Sequence, residues 1–323
     1  MTDILSDYRD TLAEIGRLAE KAINDTVDAP DTQSDRPTEA QSCTIKSLPP
    51  RLLRKAAEVA VATNPQNAPV MGAMTGAADI PLEPMHLTLL TSKYWGSQPR
   101  QLTVSFMEAT PVDLKTRILQ HMNAWSTRIG ISFALTNGIG DVRILRGSGG
   151  YWSYLGTDIR LIPKNRQTMN LQGFTMDTAE SEYRRVVRHE TGHTLGFPHE
   201  HMRRELVARI DPQKAYDYFR RTQGWPAPVV NQQVLTPLDQ ASIIGTPADQ
   251  TSIMCYQLPG SITKDGRPIM GGTDINATDY AFAARIYPRP SHSEKHAEKE
   301  IRLAGAMDSD WDESEDVLEP QLA

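Results

Sequence analysis

The sequence predicts an α+β fold, with one core-bearing domain of roughly 200 residues inside a 323-residue chain. Two observations predict it. Leu102, Val104 and Phe106 alternate with Thr103 and Ser105, the period of a half-buried strand, and Leu114, Ile118, Met122, Trp125 and Ile129 then recur at helical spacing. Short strand candidates follow at 131–135, 142–145 and 151–155, separated by Gly-rich turns, and a helix begins between Thr178 and Glu182.

Before that domain, Ile4, Tyr8, Leu12, Ile15, Leu18 and Ala22 stand three and four residues apart, as on an amphipathic helix. Residues 28–42 mix Pro, Asp, Ser and Thr with almost nothing apolar, so 1–42 divides into a helix and a disordered linker. A second helix is expected over 49–62. Pro49 and Pro50 suit its first turn, Leu52, Leu53, Ala56, Val59 and Ala60 make its apolar side, and Asn64-Pro65 ends it. It lies in an N-terminal extension, 43–96, ahead of the main domain at 97–290. Residues 291–323 are charge-rich with too little apolar surface to fold alone, and read as a disordered acidic tail.

Composition excludes several classes of partner. A net charge of −6 leaves no basic stripe for a phosphate backbone, and the Arg pairs at 184–185, 203–204 and 220–221 are isolated, so no nucleic-acid partner is expected. No stretch is long enough to span a membrane. The first residues are acidic where a secretory signal is basic, and no apolar segment follows, which leaves the cytoplasm or export by a non-classical route. Cys43 and Cys255 make no disulfide framework and fit a reducing compartment. Nothing in the sequence reads out an oligomeric state.

The chemistry is carried by His189-Glu190-x-x-His193-x-x-Gly196-x-x-His199. His189 and His193, four apart on a helix, project from one face and can reach one ion. His199 would point away if the helix continued, so the chain must turn first. Gly196 tolerates the positive φ that ends a helix, and Pro198 cannot extend it. Three neutral imidazoles leave a tetrahedral zinc one open position, as in catalytic sites. Zinc lowers the pKa of a bound water to about 7, and Glu190 is placed to take that water's proton and return it to a leaving amine. By chance H-E-x-x-H arises in about one such chain in a hundred and the long form in a few in 10⁵. The long form therefore outweighs a surface helix with clustered histidines, and Glu190 weighs against a metal site without catalysis.

This motif resembles that of the metzincin zinc metallopeptidases, and Glu200 directly after the last histidine resembles the astacin branch. Ser252-Ile-Met-Cys-Tyr256 is similar to the astacin Met-turn, and Trp152-Ser-Tyr-Leu-Gly156 to the family's edge strand above the cleft. Ala277 to Tyr287 is similar to its closing helix, so the resemblance covers residues 93–288, about three-fifths of the chain. It implies a zincin/metzincin fold: a twisted, mostly antiparallel-edged sheet with two long helices above, an irregular lower subdomain, and a zinc cleft between. It also implies a zinc endopeptidase using one zinc per chain and acting on peptide or protein substrates. Met254 would form a hydrophobic base under the metal, Tyr256 would approach zinc or the oxyanion, and Trp152, Ser153 and Tyr154 would pair with an extended substrate. The family glutamate at Glu200 contacts the new N-terminus once a propeptide is removed, and 43–96 is propeptide-like. Of the family pattern E-x-x-R-x-D-R, Glu200 and Arg203 are kept while Glu205 and Leu206 replace the last pair. Tyr151 stands where animal astacins have a half-cystine, which suggests a microbial, disulfide-free relative. The alternatives are a zinc amidase on a non-peptide substrate and a non-catalytic zinc-stabilised binding module.

Other residues carry plainer readings. Cys43 has no surrounding switch motif and reads as structural or inert, with a zinc-capping thiolate as the alternative. His201 is assigned a solvent or outer supporting role. His86, His121, His292 and His296 have no partner at ligand spacing and read as surface or satisfied core residues. Cys255 reads as a small buried hydrophobe, and Trp152 with Tyr154 as packing aromatics rather than a stacking platform.

Overall fold

The computed structural model describes residues 43–68, 92–237 and 248–289; the expected helix at 4–24, the linker at 28–42, the tail at 291–323, and His86, His292 and His296 lie outside them. Among the described residues six strands form one sheet: β1 (Thr44–Lys46), β2 (Arg100–Phe106), β3 (Ile131–Leu135), β4 (Val142–Leu145), β5 (Tyr151–Tyr154) and β6 (Met169–Leu171). Their order is β1-β5-β6-β4-β2-β3. Within this sheet, among the described residues, antiparallel pairing is confined to β5 with β6; β5 would be the sheet's edge, but β1 adds outside it in parallel. The alternation seen in β2 buries Leu102 and Val104, while Thr103 between them binds Asp141 through both its amide and its hydroxyl. Neither β1 nor β6 was expected, because three residues are too few to show a period.

Helix α1 (Leu53–Thr63) follows a 3-10 turn at Pro50–Leu52 and ends at Asn64, whose side chain accepts from the Gln66 amide. Its Ala56 packs with Leu48 and Ile162. Helix α2 (Val112–Met122) stops sooner than the apolar spacing to Ile129 suggested. The reason is Asn123, whose amide group donates to the Phe133 carbonyl and accepts from the Phe133 N–H, both at 2.9 Å, and so ties the chain to β3. Trp125 then sits in a 3-10 turn, where its buried indole donates to the Arg188 carbonyl at 2.8 Å.

The second long helix runs from Glu180–Glu182 through a π-helical Tyr183–Val187 into α3 (Arg188–Thr194). These elements and the sheet share the upper core, which includes Ile118, Val187 and Met254. A separate lower core gathers Leu206, Phe219, Cys255, Tyr256 and Leu258. Within it α4 (Pro212–Gln223) is an unforeseen helix, although Asp211 as N-cap, Pro212 in the first turn and Gly224 after the end are ordinary signals. Helix α5 (Ala277–Ile286) closes the domain with a capping box between Asn276 and Asp279. Among the described residues no helix is long and apolar enough to cross a membrane.

Candidate metal centre and cleft

Helix α3 presents His189 and His193 one turn apart on a buried face. The His189 Nδ1–H donates to the Ile253 carbonyl at 2.6 Å and the His193 Nδ1–H to the Phe197 carbonyl at 2.8 Å. With the proton on Nδ1, each Nε2 offers a lone pair. The helix then ends in a Schellman turn: the Phe197 N–H bonds the Gly192 carbonyl at 2.9 Å and the Gly196 N–H the His193 carbonyl at 2.8 Å. Gly196 takes φ 95°, as its place in the motif required. The terminal carbonyls of Thr194 and Leu195 receive the Trp95 indole N–H and the Tyr287 hydroxyl, so this buried helix end is satisfied.

The reversal returns His199 with its Nε2 at 3.0 Å from that of His193 and 3.3 Å from that of His189. At most one of these three nitrogens, that of His199, can carry a proton, so at least two lone pairs converge on one point. A tetrahedral ion with bonds of about 2.0–2.1 Å sets its nitrogen ligands about 3.3–3.4 Å apart, which the 3.3 Å spacing matches and the 3.0 Å spacing falls a few tenths of an ångström short of. The donor set, three neutral imidazoles, fits zinc.

Burial maintains that neutrality. It pushes His189 down to about 4 and holds His193 and His199 well below the ordinary imidazole range. Glu190, in the same turn, has no exposed surface, and neither carboxylate oxygen makes a hydrogen bond of ordinary geometry. Burial raises its pKa to about 8, against opposing pulls from the Cys43 thiol and the Arg185 guanidinium; a dication at the three nitrogens would pull it down further.

Tyr256 brings a buried hydroxyl, also without a hydrogen-bond partner, to the same place. Its ring lies 4.2 Å from the His199 ring and stacks on His201 at 4.4 Å and 11°. His201 is therefore not a solvent residue: it is wholly buried, and its Nε2–H donates to the Gln233 carbonyl at 3.0 Å. It is a wall for Tyr256 and not a member of the ligand cluster.

Beneath the histidines, a Cβ on Gly192 would overlap the Met254 sulfur, so the glycine inside the motif lets the Met-turn approach the helix. The Glu200 N–H bonds the Met254 carbonyl at 2.8 Å, and its carboxylate accepts from Arg203 at 3.0 Å and from the Asp249 N–H at 3.1 Å. The kept Glu-Arg pair thus makes its bridge, and Leu206, in place of a charged family residue, packs in the lower core. Ser252 and Ile253 are held in turn by Asp279 of α5.

Trp152, Ser153 and Tyr154 occupy β5 as expected, but their free edge is covered by the chain itself. Thr44, Ile45 and Lys46 register with them in parallel, and the Lys46 ammonium lies 5.0 Å over the Trp152 ring. Trp152 and Tyr154 pack edge-to-face at 5.8 Å, and the Ser153 hydroxyl bonds that of Thr194 at 3.2 Å. On the other side of the strap, Gln233 makes a two-way amide pair with Ile45: its Oε1 accepts the Ile45 N–H and its Nε2 donates to the Ile45 carbonyl, both at 3.1 Å.

Cys43, read as structural or inert with a zinc-capping thiolate as the alternative, stands just before β1. It is buried, and its sulfur and one nitrogen from each of His189, His193 and His199 all lie within 4.8 Å of one another. Its signal in the sequence was being the lone cysteine of the extension; Gln233 had none. Cys255 is a buried hydrophobe of the lower core, as read, and His121 is buried over the Tyr183 ring with its Nδ1 without a hydrogen-bond partner.

Residues 89–270 match the family model described as Astacin, a peptidase family. The zinc metalloproteinase nas-27 of Caenorhabditis elegans is 30% identical over 110 residues, which are 33% of this chain and 24% of that protein, so the chain spans about a quarter of this curated relative's length. A solved structure of myroilysin superposes with a TM-score of 0.58 at 28% identity, covering 62% of this chain and 97% of that one. With the family model matched across more than half of its length, the chain belongs to the astacin family of peptidases.

Proposed function

We propose that residues 97–290 form an endopeptidase domain in which His189, His193 and His199 hold one zinc ion, Glu190 is the general base and Tyr256 a hydrogen-bond donor to the developing oxyanion. When bound, zinc supplies a Lewis acid and makes water acidic enough to attack near neutral pH. Glu190 takes the attacking water's proton on a carboxylate oxygen and delivers it to the leaving amine. Tyr256, oriented by the stack on His201, offers its hydroxyl to the carbonyl oxygen as charge builds there. Strand β5, with Trp152, Ser153 and Tyr154, binds the substrate main chain along the edge that β1 fills in this structure, which favours a polypeptide over a small amide. Gly196 turns the chain toward His199, while Met254 and Glu200 brace the floor of the site. Residues 43–96 are a propeptide-like extension on this reading.

The observation that carries the reading is the convergence of three Nε2 atoms beside a buried carboxylate whose oxygens accept no hydrogen bond of ordinary geometry. The test is cleavage of a quenched-fluorescent peptide mixture by zinc-loaded protein, beside a chelated sample and Glu190→Ala. Removal of the base is expected to cost about 10²–10⁴-fold in turnover, with one equivalent of zinc retained. One equivalent of zinc without any cleavage, even after limited proteolysis ahead of residue 97, would instead favour a zinc-stabilised binding module.

A further inference from the structure

We propose that Gln233 is a substrate-positioning residue, whose side-chain amide pairs with both backbone groups of one substrate residue on the side of the cleft opposite β5. This deepens the reading above and rests on its endopeptidase site. In this structure residues 44–46 lie where that reading puts substrate, in register with Trp152, Ser153 and Tyr154, and they show what the cleft offers to an extended main chain. In such a chain the N–H and C=O of one residue point to one side and those of its neighbours to the other. Ile45 turns its pair toward Gln233, whose Oε1 accepts the N–H and whose Nε2 donates to the carbonyl, each at 3.1 Å. A short strand paired along one edge is weakly held; here β5 and Gln233 grip it from both edges.

The contact suits a peptide of any sequence, because it is made to main chain alone. Neighbouring Gln232, by contrast, bonds the Ser47 hydroxyl, which another sequence would not supply. The amide is also indifferent to chain direction. A strand laid antiparallel to β5 exchanges the places of its N–H and C=O, and a half-turn about the last torsion of Gln233 exchanges Oε1 and Nε2 to match. The side chain is held in place beforehand: Gln233 is buried, its backbone carbonyl accepts from His201, and Val234 beside it belongs to the lower core. Little freedom is then lost on binding. His201 also stacks on Tyr256, so one ring supports both the main-chain contact and the proposed oxyanion donor. Ile45 stands two residues from Cys43, whose sulfur lies with the histidine nitrogens, which places the gripped residue about two residues from the bond that is cut.

The test remakes the best-cleaved peptide of the assay above with single amide N–H groups replaced by an ester oxygen, one at each residue flanking the cut. The zinc-loaded full-length chain is used, with the same limited proteolysis, and kcat/KM is read only for cleavage at the original bond, identified by product mass. At one position about two residues from the cut, the ester is expected to slow the wild type about 10-fold and Gln233→Met less than about 2-fold. Esters at the adjoining residues, whose N–H groups face β5, should cost wild type and variant alike. Competition from residues 44–46 acts on amide and ester peptides equally and cancels in each ratio. Gln233→Glu keeps the acceptor and loses the donor, so it should retain the wild-type ester penalty, and it decides the matter if Gln233→Met does not fold. Equal ester penalties in wild type and Gln233→Met at every position, or no such penalty in Gln233→Glu, would overturn the assignment. A wild type that cleaves no unmodified peptide overturns the endopeptidase reading and this inference with it, a failure that the all-amide peptide separates from the others.

Discussion

Asp279 of α5 is far from the chemistry in sequence, yet its removal should weaken zinc binding. Its Oδ1 accepts the Ser252 hydroxyl at 2.6 Å, and its Oδ2 accepts the Ile253 and Asn276 N–H groups at 3.0 Å each. Ile253 is the residue whose carbonyl orients His189, so Asp279 steadies the peptide that aims a ligand. Asp279→Ala leaves two backbone donors without acceptors, at about 1–3 kcal/mol each. Part of that is offset, because burial raises the Asp279 pKa despite these bonds, so the charge itself is held at a cost. A net loss of about 2–3 kcal/mol is expected, with zinc affinity down about 10–100-fold. Asp279→Asn behaves differently: its amide oxygen keeps both N–H groups and its NH₂ can donate to the Ser252 oxygen, so that only the Ser252 hydroxyl proton has to find another acceptor, and the loss should stay at about 1 kcal/mol. Urea unfolding in chelator measures the first quantity, and zinc competition against a chromophoric chelator the second. Zinc affinity within about twofold of wild type in Asp279→Ala, against the 10–100-fold usual for such outer partners, or an Asn variant as damaged as the Ala variant, would refute this chain of support.

Burial lowers the His121 pKa, with Arg188 and Arg117 assisting and Glu180 opposing, so the folded protein keeps this ring neutral against Tyr183. The unfolded chain protonates first, below its ordinary value of about 6.5, so His121 stabilises the fold above that pH and this contribution fades as pH falls. Metal-free His121→Phe should therefore lose stability less steeply than wild type from pH 7 to pH 5; parallel curves would show that another group is responsible. Gly192→Ala ought to gain about 1 kcal/mol of helix propensity, but overlap with Met254 should reverse the sign, to a net loss of about 1–2 kcal/mol. Pairing it with Met254→Ala should recover at least ~0.5 kcal/mol in a double-mutant cycle, and strict additivity would argue against the contact. Metal removal is expected to lower Tm: zinc at about 1,000 times its Kd contributes about 4 kcal/mol, or roughly 8–16 °C for a domain of this size. A melting curve unmoved by chelator would mean that the histidines hold no ion.

What the sequence determined by itself was the local chemistry. The spacing of His189 and His193 is a property of any α-helix, Gly196 had to turn the chain, and the sheet's periodicity in β2 follows from alternation of apolar and polar side chains. The family resemblance added Met254, Tyr256 and β5, and the structure brings all three to the cleft. Only the tertiary structure decided the rest, because those contacts join residues that no period or spacing relates. Asn123 shortened α2 by bonding a strand ten residues on. Gln233 met Ile45 across 188 residues, and Cys43 reached histidines some 150 residues away in the chain. Three-residue strands such as β1 have too little pattern to be seen beforehand, since their stability comes from the neighbours that pair with them and not from their own side chains.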